Sequence, residues 1–174
     1  MPLERRKPRR VVVATAFAGS ADAGGPNGPI EVPPTVQLLP SSLQPRVAEP
    51  LAHSRRVEID LDAVGAAGIV TPNAPRTRLA DQYRVIKRPL IANATGRGAA
   101  TVTHGNLIMV TSAVSGEGKS FTSINLAMSI AAELDHTVML VDADVARPSV
   151  LRVLGLPPGP GLLDVLEGKV EISD

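Results

Sequence analysis

The chain has 174 residues, 18 Lys and Arg against 17 Asp and Glu, and a formal net charge of +1. This length allows one ordinary domain with a tail, which excludes a multidomain enzyme, and the balanced charge does not indicate a protein bound to a polyanion. The absence of Cys excludes a disulfide scaffold and a thiolate metal site, and three scattered His argue against a metal cage. An aromatic content of 2% leaves too few rings for base stacking, so we expect no nucleic-acid partner.

Residues 1–56 form a region rich in Pro, Ala and Gly that we expect to be disordered. Eleven of the 16 prolines lie in the first 80 residues, where they interrupt helices and strand ladders. The basic run at 4–10 is typical of a solvated arm, with contact to a membrane surface or a polyanion as the alternative. The apolar run at 11–18 has the outline of a secretory signal, although it is short and Ala-rich. No apolar stretch approaches the ~20 residues of a membrane helix, so we expect no direct membrane span.

Residues 57–77 follow as a linker or a docking strap, interrupted by Pro72 and Pro75. An amphipathic helix is predicted over 78–93, because apolar side chains recur there at helical spacing. Pro89 should end or kink this helix near its last turn. A flexible connector at 96–105 leads into the next elements.

The second half of the chain predicts a βαβ unit. A buried strand at 106–112 is followed by a helix at about 119–134, a second buried strand at 137–142 and a short helix at 161–168. A crossover of this length implies right-handed, parallel strands. The expected fold class is therefore α/β: a P-loop NTPase-type parallel sheet with flanking helices, incomplete, and preceded by the disordered region.

Between the first strand and its helix, residues 113–120 fit the P-loop pattern [AG]-x4-G-K-[ST]. Gly116 and Gly118 let successive N–H groups converge on phosphate oxygens at the positive end of the helix. Lys119 can reach the β- and γ-phosphates, and the Ser120 hydroxyl can bind Mg²⁺. The alternative is a glycine-rich turn capped by a solvated lysine. The strand before the loop and the helix after it favour nucleotide binding.

Two carboxylates, Asp142 and Asp144, end the second strand. Ligands bind at the carboxyl ends of strands in open α/β sheets, so both acids should lie beside the P-loop. One can hold Mg²⁺ directly or through water, and the other can accept a proton from an attacking hydroxyl. The structural alternative is an Asp pair that caps a strand-to-helix turn.

These motifs together resemble the bacterial tyrosine autokinases of exopolysaccharide synthesis, and in detail their exosortase-associated branch. The resemblance rests on the segments 84–90, 106–120, 125–127 and 141–149, and extends from about Val57 to the end. It implies a cytoplasmic, Mg²⁺-dependent protein-tyrosine kinase that uses ATP and regulates the polymerisation or export of a polysaccharide.

By resemblance, 113–120 is the Walker A loop, and Asp142 with Asp144 form the family's modified second Walker motif. Lys119, Asp142 and Asp144 would be catalytic, with Asp144 orienting or deprotonating the tyrosine hydroxyl. Ser120 and Asp142 would hold Mg²⁺. The expected nucleotide-binding residues are Ser115, Gly116, Glu117, Gly118, Lys119, Ser120 and Phe121.

Family members also carry an acidic-x-x-basic-x-x-basic signature used in subunit contact, matched here by Asp81, Arg84 and Lys87. On physical grounds alone, these charges could equally form a solvated helix face. The resemblance favours a homo-oligomer that assembles through the helix at 78–93. It also implies a separate activator, a membrane chain-length determinant or polysaccharide export protein, and a cytoplasmic location that could be peripheral at the inner membrane through that partner.

The sequence departs from the family at two points. Ala146 stands where the family has a basic residue, with Arg147 next to it. The chain also stops before the strand of the Walker B motif and the tyrosine-rich tail, and Tyr83 is its single tyrosine. We therefore expect 78–174 to be the N-terminal part of a longer kinase domain, poorly stable alone because strand edges and apolar faces stay uncovered.

Two alternatives to the kinase stay open. A partitioning-type ATPase switch would dimerise around ATP, but those proteins carry a signature Lys early in the loop, where this chain has Val114. An inactive fragment that binds no nucleotide is the second alternative.

Overall fold

A computed structural model of the chain describes residues 9–17, 56–73, 75–100 and 102–172. The chain forms, in order, β1 (Arg9–Phe17), α1 (Leu61–Ala66), α2 (Arg78–Ala94), β2 (Leu107–Ser112), α3 (Lys119–Ala131), β3 (His136–Asp142), α4 (Val150–Val153) and α5 (Leu162–Leu166). Among the described residues, no helix has both the length and the apolar character needed to cross a bilayer.

The sheet has three parallel strands in the order β2–β1–β3. Val13 of β1 is in register with Ile108 of β2 on one side and with Leu140 of β3 on the other. The predicted α/β parallel architecture is confirmed. The two strands of the predicted βαβ unit are not direct neighbours, because β1 lies between them.

The central position of β1 corrects the expectation that residues 1–56 are disordered throughout. Val11 and Val13 are 1% and 0% exposed, and they lie in the middle of the core. The high proline content of the region concealed a proline-free stretch between Pro8 and Pro26. Its run of β-branched residues at 11–13 suits a central strand, which has one face in the core and the other half-buried. The rest of the region up to residue 55, with most of the basic run, lies outside the described residues.

One face of the sheet packs against α2 and α3. Val11 and Val13 contact a cluster that includes Tyr83, Leu126 and Ile130 of these helices. On β2 the covered positions alternate with Leu107 and Met109, which are 58% and 66% exposed. The period of two along the strand therefore directs one set of side chains into the core and the other to the opposite face.

The helix α2 runs from Arg78 to Ala94 and continues past Pro89. The helix therefore does not end at this proline, which was one of the two expected outcomes. Leu90, Ile91 and Ala94, which follow the proline, pack against the core cluster. This burial offsets the backbone hydrogen bond that proline cannot donate.

The helix α3 ends at Ala131, three residues before the predicted end at 134. Leu134 is fully exposed, so no apolar contact favours another turn of helix there. The Glu133 N–H donates to the Ile130 carbonyl at 2.9 Å and begins the turn into β3.

The segment 57–77, left open as a linker or a docking strap, contains α1 and packs against α3. Val64 and Ile69 form a second apolar cluster with Ile124 of α3. Asn125 is completely buried, and its Oδ1 accepts a hydrogen bond from the Val70 N–H at 2.7 Å. These contacts attach the segment to the helix that follows the P-loop.

Candidate functional site

The P-loop lies between β2 and α3 and depends on two left-handed glycines. Gly116 and Gly118 have φ values of 87° and 91°, a region that residues with a side chain enter only with strain. A Cβ added at either glycine would meet nothing within 4 Å. Their requirement is therefore conformational, and the open space beside the backbone suits the close approach of a phosphate.

Lys119 and Ser120 begin α3, as predicted for a P-loop lysine and hydroxyl. Lys119 is only 8% exposed. The loop before it is braced internally, because the Ser112 hydroxyl donates to the Val114 carbonyl at 3.0 Å and the Val114 N–H donates to a Glu117 carboxylate oxygen at 3.1 Å. These two hydrogen bonds hold the backbone of the loop in a defined shape.

The remaining predicted nucleotide-binding residues divide between the loop and its flank. Ser115 and Glu117 are exposed in the loop. Phe121 is 39% exposed, and its ring lies 3.8 Å from where a Cβ on Gly68 would stand. Its side chain therefore faces the segment that carries α1, and its backbone stays in the first turn of α3.

Asp142 ends β3 and binds three backbone N–H groups. Its Oδ2 accepts from Ser149 at 2.7 Å and Val150 at 2.9 Å, and its Oδ1 accepts from Asp144 at 3.2 Å. A carboxylate has about four lone-pair positions, so roughly one is left for another partner. Asp142 therefore caps the start of α4, as the structural alternative predicted. With one lone-pair position left, it suits contact with a cation through water better than direct coordination by several oxygens.

Ser149 is a site residue that the sequence analysis did not single out. Its hydroxyl oxygen lies 2.6 Å from that of Ser120, which joins the end of β3 to the start of α3. A serine before an apolar helical segment usually indicates a helix cap. That signal would have placed Ser149 at a helix start without indicating its contact with the P-loop.

Asp144 lies two residues beyond β3 and is half-buried. Its Oδ1 accepts from the Arg147 N–H at 3.2 Å, which closes a turn. Arg147 and Ala146 are both exposed in this turn. The Asp144 backbone N–H donates to the Asp142 carboxylate at 3.2 Å, and the Asp144 carboxylate itself is held by the turn at Arg147.

The donor set at this edge of the sheet fits Mg²⁺. Ser120 and Asp142 offer a hydroxyl and a carboxylate, the oxygen ligands that this ion prefers. Among the described residues, no group of three or more His, Cys, Asp or Glu side chains could hold a metal ion. Mg²⁺ usually needs only one or two carboxylates together with substrate phosphates, so the two residues suit an ion that arrives with a nucleotide.

The predicted subunit-contact residues do not share one exposed face. Asp81 and Arg84 are exposed and 4.0 Å apart. Lys87 is buried, and its Nζ donates to the Ser129 carbonyl at 2.6 Å and contacts the Glu133 carboxylate at 2.7 Å. This inward position corrects the expectation that Lys87 faces a partner: it binds the carboxyl end of α3, where a cation is favoured. Its hydrogen bond lowers the pKa of Glu133 below the ordinary value of 4.5.

A family model described as the NUBPL iron-transfer P-loop NTPase, of the ParA group, matches residues 103–161. The antiactivator FleN of Pseudomonas aeruginosa is 44% identical over 68 residues, which are 39% of this chain and 24% of that protein. The tyrosine-protein kinase YwqD of Bacillus subtilis is 34% identical over 98 residues, 56% of this chain and 38% of the kinase. The succinoglycan biosynthesis transport protein ExoP of Rhizobium meliloti is 29% identical over 100 residues, 58% of this chain and 12% of that protein.

The chain spans less than two-fifths of the length of each of these three relatives. No solved structure matches the chain. The fold and the family model agree, since the matched residues include β2, the P-loop, α3 and β3. Residues 103–161 thus match the model of a ParA-type P-loop NTPase, and the chain is similar over part of its length to bacterial tyrosine-protein kinases.

Proposed function

We propose that the chain carries the nucleotide-binding part of a protein-tyrosine kinase that transfers a phosphoryl group from Mg-ATP to tyrosine. The observation that carries the proposal is the connection of the P-loop to the carboxyl end of β3, through Ser120, Ser149 and Asp142. Similarity to YwqD over 98 residues supports tyrosine as the acceptor. The name of ExoP supports a role in polysaccharide synthesis or export.

In this mechanism the loop amides and Lys119 stabilise negative charge on the transferred γ-phosphoryl group. The tyrosine oxygen forms a bond to phosphorus, the bond from phosphorus to the β–γ bridging oxygen breaks, and ADP leaves. Asp144 orients the tyrosine hydroxyl and accepts its proton. Ser120 and Asp142 would hold the Mg²⁺, which supplies neutralising charge at the phosphates.

The acceptor tyrosine belongs to another segment or molecule in this proposal. Tyr83 is the single tyrosine of the chain, and it is 6% exposed within the core. Because its side chain is packed in the core cluster, Tyr83 is not presented as an acceptor in the folded chain. The assay therefore needs a supplied tyrosine peptide.

Assembly and partners follow the same proposal. A homo-oligomer would form through the exposed face of α2, where Asp81 and Arg84 lie near the exposed apolar side chains of Val85 and Ile86. Lys87 would contribute only by fixing α2 on α3. The activator would be a membrane chain-length determinant or a polysaccharide export protein, which would bring a cytoplasmic kinase to the inner membrane.

The first test is a calorimetric titration of the 174-residue chain with Mg-ATP. Lys119→Ala should abolish binding, because it removes the cation at the β- and γ-phosphates. Lys169→Ala is the matched control, since Lys169 is 62% exposed and pairs with Asp164 and Glu167. Equal binding by wild type and Lys119→Ala would refute a P-loop nucleotide site.

A ParA-type ATPase switch is the second candidate, and the family model and the match to FleN favour it. Radiolabelled ATP separates the two candidates. A kinase labels the supplied tyrosine peptide, and Asp144→Asn should slow this labelling more than it weakens nucleotide binding. A switch releases labelled free phosphate and leaves the peptide unlabelled.

A further inference from the structure

Ser149 stands at the N-cap position of α4 but makes no side-chain capping hydrogen bond. Serine at this position normally accepts a bond from a backbone N–H of the first turn. Here the hydroxyl is directed instead to Ser120, 2.6 Å away, on the first turn after the P-loop. The side chain therefore has a contact that helix capping does not explain.

Asp142 takes over the capping role and fixes the backbone of Ser149. Its Oδ2 accepts from the Ser149 N–H at 2.7 Å and from the Val150 N–H at 2.9 Å. Val150 is 5% exposed and packs with Ile124 of α3 in the second apolar cluster. Two charge-assisted bonds and one buried side chain thus hold the Ser149 hydroxyl in place beside Ser120.

We propose that Ser149 is a positioning residue that orients the Ser120 hydroxyl toward the divalent cation of a bound nucleotide. The inference rests on the proposed function, because it requires that Mg-ATP occupies the P-loop. A hydroxyl has one donor hydrogen and two lone pairs. When the Ser120 oxygen presents a lone pair to a cation, its hydrogen points away and needs an acceptor. The Ser149 oxygen lies where that acceptor is required.

This arrangement resembles the outer-shell partners that fix the orientation of metal ligands in other sites. Loss of such a partner typically reduces metal affinity by about 10–100-fold. The same loss has little effect on the phosphate contacts of the loop amides and Lys119. Ser149 should therefore affect the contribution of Mg²⁺ to nucleotide binding and leave metal-free binding unchanged.

The experiment measures the dissociation constant of ATP by calorimetry twice, with Mg²⁺ and with EDTA, for wild type, Ser149→Ala and Ser149→Thr. Ser149→Ala should reduce the Mg²⁺-dependent gain in affinity by about tenfold, at the lower end of the outer-shell range. The EDTA value should stay within error of wild type. Ser149→Thr keeps a hydroxyl on Cβ and should retain the gain.

Thermal unfolding of the same variants controls for a general effect on the fold. Ser149→Ala should unfold near the wild-type temperature, because its hydroxyl does not cap α4. Should this variant not fold, Ser149→Cys keeps the shape with a weaker acceptor, and we expect it to lose part of the Mg²⁺-dependent gain.

Three results would overturn the inference: an unchanged gain in Ser149→Ala, an equal loss with Mg²⁺ and with EDTA, or no rescue by Ser149→Thr. If the wild type still bound Mg-ATP, these results would refute only the role of Ser149, and the proposed nucleotide site would stand. Absence of ATP binding by the wild type would instead refute the proposed function, and this inference with it.

Discussion

The position of β1 at the centre of the sheet predicts an alternating effect of truncation along the strand. Val13 is 0% exposed and lies between Ile108 and Leu140, whereas its neighbour Val12 is half-buried on the other face. Val13→Ala removes two buried carbon atoms, at about 0.8 kcal/mol each. The cavity left between two strands and α3 raises the loss to about 2–3 kcal/mol.

Val12→Ala is the matched control. The change in strand propensity is similar at both positions and cancels in the comparison. Val12 contributes to the partly exposed face, so its truncation should cost less than about 1 kcal/mol. The two variants should therefore differ by at least about 1 kcal/mol in free energy of unfolding.

Urea unfolding followed by circular dichroism at 222 nm measures this difference, because the chain has no Trp and a single Tyr for fluorescence. Equal losses at both positions would refute a strand with one face in the core. A larger loss for Val12→Ala would indicate a register shifted by one residue, which exchanges the two faces. No loss at either position would show that residues 9–17 are not part of the sheet.

Two further predictions concern the attachments of α3. Asn125→Ala should lower the free energy of unfolding by about 2 kcal/mol, because it leaves the Val70 N–H without its acceptor. Urea unfolding measures this loss. An unfolding free energy equal to that of the wild type would contradict the attachment of the segment 57–77 to α3. Glu133 has a lowered pKa, so its contribution to stability is complete above pH 4.5 and is lost as the pH falls through the lowered value. Glu133→Gln should remove this acid-dependent component of stability, worth less than about 1 kcal/mol at its half-exposed position. Glu58→Gln, at an exposed site, should keep the component and serves as the control. Identical dependence of the unfolding free energy on pH for wild type and Glu133→Gln would disprove the role of the Lys87 contact.

Local signals were sufficient to predict the P-loop and the elements around it. The spacing of Gly116 and Gly118 before Lys119 requires left-handed backbone and a helix start, and both are observed. The apolar runs of β2 and β3 predicted strands at these positions, and the strands are observed. These features depend on neighbouring residues alone, which is why sequence patterns locate them. The expectation that both strands are buried was wrong, because β2 alternates between exposed and half-buried residues and no residue of β3 is fully buried.

Features that depend on distant residues could not be predicted in the same way. The pairing of β1 joins residues about a hundred positions apart, and a proline count over a long window hid its nine residues. Lys87 has the spacing of an exposed charge, but its partners Ser129 and Glu133 belong to another helix. The capping role of Asp142 likewise depends on where the chain returns at Ser149.

The strand order also has a consequence for synthesis of the chain. β1 leaves the ribosome first, but its neighbours β2 and β3 follow much later, and β3 is complete only at Asp142. Translation at about 5–20 residues per second takes roughly 6–25 s from the end of β1 to the end of β3, so the valine-rich segment waits that long for both of its partner strands. Unpaired β-branched segments of this kind favour aggregation. Five basic residues at 5–10 precede Val11, two of them within β1 itself. Their charge opposes self-association of nascent chains until the sheet can form.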